Sequence, residues 1–168
     1  MSPKKIFTIG APELRLKSNP IKRFDARLDL IFRDMAQTMY EAQGVGLAAP
    51  QIGILRRLIV LDVGEGLIEM VNPEIVSSEG SCGMPEGCLS IPGRRGFVTR
   101  PEKVTVTAQD RTGKPFTVEA DGLLARAVQH EIDHLDGVLY VDKMDYEIVE
   151  EDEEEEKKDP PARRRKAV

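Results

Sequence analysis

The sequence has few of the features that mark membrane or secreted proteins. No apolar run approaches the roughly 18 residues that are needed to span a bilayer. The N-terminus, Met1 to Phe7, is basic but lacks the apolar stretch of a secretory signal. The chain has two cysteines, Cys82 and Cys88, and in a cytosolic chain of this size we expect free or metal-bound thiols. These absences predict a cytoplasmic protein.

Length and charge predict one globular domain followed by a charged tail. At 168 residues the chain can bury a substantial core, and 40% hydrophobic residues fit a globular protein. Residues 147–168 contain nine acidic and six basic residues in like-charge blocks, which predicts a disordered or marginally helical tail. The domain is therefore predicted over residues 1–146. Because the net charge is −5, we expect no sequence-specific nucleic-acid surface.

The two histidines of the chain, His130 and His134, stand together in a His-Glu-x-x-His pattern. Four residues make one helical turn, so both imidazoles emerge on the same face, about 6 Å apart. Two imidazoles so placed can bind one transition-metal ion, and Glu131 lies beside them to move protons on a metal-bound water. Paired surface histidines often have no role, but the lack of any other histidine favours a metal site.

A catalytic site of this kind needs a third protein ligand. Cys88 lies among glycines and prolines in residues 80–92, outside any periodic run, and its thiolate would complete a set of one sulfur and two nitrogens. Two alternatives stay open. A metalloprotease would take its third ligand downstream, where the glutamates fall in the charged tail. A structural zinc site would combine Cys82, Cys88, His130 and His134.

Hydrophobic periodicity predicts two helices. The first has Asp25 as its N-cap, ends near Gly44 and buries an apolar face. The second runs from Gly122 to Leu135, begins after Asp121 as its cap, and carries both histidines.

Alternating and apolar runs predict strands that short turns connect. These runs are Arg57–Val63, Gly66–Val71, Glu74–Ser78, Lys103–Gln109, Pro115–Ala120 and Val138–Val141. Residues 44–53 are predicted to form a tight, glycine-rich turn in which Gln51 places a polar amide among apolar residues. The predicted fold class is α+β, with mainly antiparallel sheets packed around a central metal-binding helix that carries the His-Glu-x-x-His pattern.

Three segments resemble, in order and approximate spacing, the signature motifs of the peptide deformylase family. They are Gly44-Val45-Gly46-Leu47-Ala48-Ala49-Pro50-Gln51, Glu86-Gly87-Cys88-Leu89-Ser90 and Gln129-His130-Glu131-Ile132-Asp133-His134. The similarity extends over about residues 6–145. It implies a hydrolase that removes the N-formyl group from the initiator methionine of nascent chains and releases formate.

The resemblance also implies roles for individual residues. One divalent metal ion, natively Fe²⁺ and replaceable by Ni²⁺, Co²⁺ or Zn²⁺, would be held by Cys88, His130 and His134. Glu131 would be the general base, and the Gln51 amide with the backbone N–H of Leu89 would bind the formyl oxygen. The positions that would hold the peptide or line its methionine pocket are Val45, Gly46, Arg95, Leu123, Arg126 and Ala127.

The tail departs from this resemblance. Some peptide deformylases carry a basic C-terminal helix that docks on the ribosome, whereas an acidic block opens the same region here, ahead of Arg163 to Lys166. The expected partner is the N-formylmethionyl nascent peptide. Transient ribosome contact is left open, and no membrane partner is expected.

Overall fold

The first helix forms where the sequence provides its cap and its apolar face. In the computed structural model, which describes residues 3–149, α1 spans Ala26–Glu41. The Asp25 side chain accepts a 3.0 Å hydrogen bond from the backbone N–H of Arg27, which confirms the predicted N-cap. The helix ends three residues before Gly44 because Gln43 takes a left-handed φ of 58° and turns the chain. Its buried residues are Leu28, Phe32, Met35, Thr38 and Met39.

Two antiparallel sheets form the β part of a mixed α+β fold. The strands of the described chain are β1 (Gly46–Ala48), β2 (Leu58–Leu61), β3 (Ile68–Glu79), β4 (Cys82–Cys88), β5 (Ile91–Arg100), β6 (Lys103–Gln109), β7 (Pro115–Asp121) and β8 (Tyr146–Ile148). One sheet has the order β1-β2-β3-β6-β7 and the other the order β4-β5-β8. The predicted fold class, α+β with mainly antiparallel sheets, is confirmed.

The larger sheet contains the predicted strands with two changes. The tight turn predicted over residues 44–53 is instead strand β1, which forms because it pairs with β2, followed by a 3₁₀ turn at Ala49–Ile52. The segments Gly66–Val71 and Glu74–Ser78 belong to a single strand, β3, in which Asn72 takes a φ of 52° and shifts the pairing register. Asn72 is fixed there because its side-chain amide bonds both the N–H and the carbonyl of Ile21.

The smaller sheet was not predicted, because glycine and proline interrupt the alternating pattern of β4. Strand β4 forms because it pairs with β5 along its length. A Cβ at Gly83 would lie 2.5 Å from the ring of Phe97, so only glycine lets that ring pack across the strand. Phe97 in turn stacks on Tyr146 of β8 at a centroid distance of 5.1 Å.

The second helix, α2 (Gly122–Leu135), has the predicted bounds and packs against the larger sheet. Ala125, Val128 and Ile132 join the core that includes Ile59, Met70 and Val106. Asp121 stands at the predicted N-cap position, but it is also the last residue of β7 and its side chain makes no cap hydrogen bond.

The segment after α2 corrects a second prediction. Val138–Val141 was expected as a strand, but the chain forms a short helix, α3 (Tyr140–Lys143). The Asp142 carboxylate accepts the backbone N–H of Leu139 at 2.9 Å and pairs with Arg15, which stabilises a helical turn. No helix among the described residues is long and apolar enough to cross a membrane.

Strand β8 pairs with β5 and continues two residues beyond the predicted domain boundary at residue 146. The remainder of the predicted tail, residues 150–168, lies outside the described residues. Its disordered or marginally helical character stays a prediction.

Candidate metal centre and active site

Cys88, His130 and His134 form a buried trio of possible metal ligands. One ligand atom from each residue lies within 4.8 Å of the others. The histidines share a face of α2 because they are one helical turn apart, and Cys88 reaches them from the end of β4. The Cys88 sulfur is 3.3 Å from Nε2 of His134. The three donor atoms therefore meet because the end of β4 lies against α2.

The two histidines of the trio have pKa values shifted in opposite directions. Burial alone would lower the pKa of His130, but its hydrogen bonds with Cys88 and Glu86 outweigh burial and raise that pKa well above its ordinary value. Burial lowers the pKa of His134 well below its ordinary value, which keeps that ring neutral. Two imidazoles and a cysteine sulfur whose ligand atoms lie within 4.8 Å of one another form a donor set that suits a divalent transition metal. The residues therefore fit such an ion.

Glu86, which is fully buried, holds His130 in place. Its Oε1 accepts a 2.8 Å hydrogen bond from Nδ1 of His130, and both its oxygens accept bonds from Arg100 at 2.6 and 2.9 Å. Burial alone would raise the pKa of Glu86, but the bonds from His130 and Arg100 lower it to about 2. The carboxylate is therefore ionised and fixes the proton of His130 on Nδ1, which leaves Nε2 for the centre of the trio.

Glu131 follows His130 in α2 and lies beside the trio. It is 2% exposed, and its Oε2 has no hydrogen-bond partner among the residues that the structure describes. Burial raises the pKa of this carboxyl group to about 7. The Glu131 side chain fits here because residue 46 of β1 is glycine: a Cβ at that position would lie 2.7 Å from Oε1 and 2.9 Å from Cγ of Glu131. A proton-accepting group is thus fixed next to the candidate metal position.

The orientation of the Gln51 amide is set by three neighbours. Its Oε1 accepts a 2.9 Å hydrogen bond from the backbone N–H of Ala48, so its Nε2 must face the other way. Nε2 donates to Ser90 Oγ at 3.1 Å and lies 3.7 Å from the sulfur of Cys88. An amide nitrogen carries two hydrogens, so Gln51 presents a donor toward the trio.

A cavity of about 310 Å³ opens onto these groups. Of the residues predicted for the site, those that line it are Gly46, Gln51, Cys88, Leu89, Arg95, His130 and Glu131. Gln43 and Gly44 also line it, just beyond the C-terminal end of α1.

Four residues predicted for the methionine pocket do not line this cavity. Val45 is half-buried and packs against the core, Ala127 is fully buried in that core, and Leu123 is 41% exposed. Arg126 is buried: its Nη1 bonds Glu86 at 2.6 Å and its Nη2 bonds the carbonyl of Cys82 at 2.7 Å. Their role in substrate binding stays a prediction.

Cys82 does not belong to the trio, which removes the structural-zinc alternative. It begins β4 and Cys88 ends it, and six residues of extended chain separate the two cysteines by roughly 20 Å. The metalloprotease alternative loses its basis as well. The third donor near the histidines is the upstream Cys88, so no downstream glutamate is needed.

Sequence reasoning missed the groups that support the trio. Glu86 stands two residues before Cys88, and this proximity could have indicated its role. Arg100 gave no local signal, because only the pairing of β4 with β5 brings it to Glu86. Ser90 and Asp133 were missed because their partners are distant in the sequence. Ser90 accepts a hydrogen bond from Gln51, and Asp133 binds Arg100 at 2.9 Å.

One sulfur and two nitrogen donors beside a carboxylate, open to a cavity, define a candidate metal-dependent hydrolase site. The polypeptide deformylase family model matches residues 3–148, and the chain belongs to this family. It is 57% identical to the peptide deformylase of Caldicellulosiruptor bescii over 151 residues, covering 90% of this chain and 91% of that one.

Solved structures agree. A peptide deformylase from Legionella pneumophila is 50% identical and superposes with a TM-score of 0.83, covering 85% of this chain and 86% of that chain. The peptide deformylase from Thermotoga maritima is 39% identical with a TM-score of 0.84, covering 86% and 99%. The chain is therefore a hydrolase that removes the N-formyl group from nascent peptides.

Proposed function

We propose that Cys88, His130 and His134 hold one divalent metal ion, so that α2 is the central metal-binding helix of the fold. The observation that carries this proposal is the convergence of three buried donor atoms, two of which belong to Cys88 and His130, residues that line a cavity together with Glu131 and Gln51. When bound, the ion would polarise the formyl carbonyl and make water a stronger acid.

The native ion in this proposal is Fe²⁺, with Ni²⁺, Co²⁺ or Zn²⁺ as functional substitutes. Imidazole and thiolate ligands suit all four ions, so the choice of iron follows from the family resemblance. A ferrous site with a thiolate ligand is sensitive to oxygen. Activity of the iron-loaded protein should therefore decay faster in air than under nitrogen, and equal lifetimes would point to another metal.

Gln51 and Leu89 are proposed to bind the formyl oxygen. Gln51 keeps one N–H on Ser90 and offers the second to the substrate, and its own oxygen is already held by Ala48. The backbone N–H of Leu89 supplies the other donor. These donors stabilise the negative charge that develops on the formyl oxygen, and losing one such donor typically costs about 10²–10³ in rate.

Glu131 is proposed as the group that moves the proton. As the water oxygen bonds to the formyl carbon, a Glu131 carboxylate oxygen accepts the water proton. It then delivers this proton to the amine nitrogen as the C–N bond breaks, and formate and a free N-terminal methionine result. Gly46 and Arg95 line the cavity and are proposed to hold the peptide.

We further propose a cytoplasmic location and a transient contact with the ribosome, where formylated nascent chains are made. The acidic residues that open the tail suit phosphate-rich RNA poorly. Such a contact would therefore involve basic residues, either Arg163 to Lys166 or a surface outside the tail.

Metal content tests the ligand assignment. Cys88→Ser and His134→Ala, each purified and loaded like the wild type, should lose the stoichiometric metal ion. Cys82→Ser is the matched control and should keep one ion per chain. Metal loss in Cys82→Ser, or full occupancy in Cys88→Ser, would overturn the assignment.

A further inference from the structure

A groove of about 530 Å³ lies between the N-terminal half of α1 and the arm that precedes it. Four cationic side chains line it: Lys22, Arg23, Arg27 and Arg56. All four residues are exposed. Asp25 is the acidic residue of the lining, and its carboxylate is already bonded to the backbone as the helix cap. Pro20, Ile21, Leu28 and Ile31 give the groove an apolar floor.

The four cations have no partner of their own within residues 3–149. Other arginines of the described chain, such as Arg57, Arg94 and Arg111, make ion pairs with acidic side chains. The sequence shows the same asymmetry. Residues 1–33 contain eight basic and three acidic residues, whereas the rest of the 168-residue chain contains 16 basic and 26 acidic residues. Basic residues thus outnumber acidic ones in the segment that supplies three of the four groove cations, although the protein as a whole is acidic.

The groove and the cavity lie at opposite ends of α1. The helix has 16 residues and is about 24 Å long. Arg27 and Ile31 of its first two turns line the groove, whereas Gln43 and Gly44, just past its end, line the cavity. A large partner can therefore occupy the groove without covering the cavity.

From this charge, shape and position we propose that the groove binds the phosphate backbone of RNA. Arginine and lysine neutralise phosphates and release their counterions, which gives affinity without sequence preference. No aromatic residue lines the groove, so the contact lacks the base stacking on which sequence-tolerant single-strand binders also draw. The inference deepens the ribosome contact proposed above, because ribosomal RNA would be the natural source of such a backbone.

The test measures binding of a fluorescein-labelled uridine 12-mer to the metal-loaded full chain by anisotropy, at several salt concentrations. Four phosphate contacts predict a slope of log K against log salt of about −3. Arg27→Glu and Arg56→Glu should each weaken binding roughly threefold to tenfold and flatten that slope by about one. Lys103→Glu makes the same change in net charge at an exposed position of β6, outside the groove, and should change binding less than twofold.

Two further measurements distinguish RNA binding by the groove from RNA binding by the tail and from a defect in the active site. Replacing Arg163, Arg164, Arg165 and Lys166 by alanine in the full chain should leave RNA binding intact. Formate release from a formyl-Met tripeptide should be unchanged in Arg27→Glu, which separates failure of the groove from failure of the active site. Equal effects of Arg27→Glu and Lys103→Glu, loss of binding in the tail variant, or equal affinity for poly-glutamate would each overturn the proposal.

Discussion

Replacing Gly46 by alanine should disable the active site while leaving its metal ligands in place. The added Cβ would lie 2.7 Å from Oε1 and 2.9 Å from Cγ of Glu131, whereas ordinary contacts begin at 3.4 Å. The carboxylate must therefore move by about 0.7 Å. Cγ and Cδ lie within 3.0 Å of the same position, so the whole Glu131 side chain must shift, either toward the cavity that it lines or against its buried neighbours. Overpacking of this kind typically costs about 1–3 kcal/mol of stability.

The functional loss should exceed the loss of stability. A misplacement of about 1 Å of a catalytic group costs about 10²-fold in rate. We therefore expect kcat for a formyl-Met tripeptide to fall by about two orders of magnitude, at unchanged metal content and with a folded protein by denaturant titration. Gly64→Ala is the control for activity alone: its φ of 106° strains alanine and lowers stability, but nothing lies within 4 Å of its Cβ position and it lies outside the site, so kcat should stay at the wild-type value. A Gly46→Ala variant with wild-type kcat would refute the proposed packing of Glu131.

Two other predictions concern stability. Glu86→Gln should cost about 3–5 kcal/mol, because Arg100 is 3% exposed and would lose its main counter-charge. The pKa of Glu86 is lowered from 4.5 to about 2, so the contribution of its carboxylate to the free energy of unfolding is present above pH 4.5 and is lost as the pH falls toward 2. Over that range the stability of the wild type should drop by about 3 kcal/mol more than that of the variant. Asp25→Ala should cost about 1 kcal/mol by loss of a cap, whereas Asp121→Ala should cost less than about 0.5 kcal/mol, as urea titration can show.

The sequence predicted the parts of the fold that depend on local signals. The apolar face and cap define α1, the run from Gly122 to Leu135 defines α2, and the alternating runs Lys103–Gln109 and Pro115–Ala120 define β6 and β7. The short turn between these two strands is held by Oδ1 of Asp110, which accepts bonds from the backbone N–H groups of Thr112 and Lys114. Each of these signals lies within the element that it specifies.

The parts that the sequence did not predict depend on contacts between distant segments. Strand β4 carries glycine and proline and becomes a strand because the Phe97 ring packs over Gly83. The helical turn at Tyr140 depends on Asp142, which Arg15 holds from 127 residues away. Short apolar segments such as Val138–Val141 fit either a strand or a helix, so only these contacts decide between them.

In the candidate site, too, the sequence predicted what depends on local spacing and did not predict what depends on contacts between distant segments. His130 and His134 were predicted as a pair because their spacing alone puts them on one helical face. The position of Arg126 was not predictable, because its guanidinium bonds Glu86 and the carbonyl of Cys82, groups 40 and 44 residues away. A side chain assigned to the substrate pocket thus also supports His130 through Glu86.

The most direct test of the central claim is formate release from a formyl-Met tripeptide by protein loaded anaerobically with Fe²⁺ or Ni²⁺, with Glu131→Gln alongside at matched metal content. The amide keeps the shape of the carboxylate but cannot carry the proton. We predict formate from the wild type and a fall in kcat of about 10²–10⁴ in the variant, with the metal retained. A variant that releases formate at the wild-type rate would contradict the role of Glu131 and the mechanism built on it.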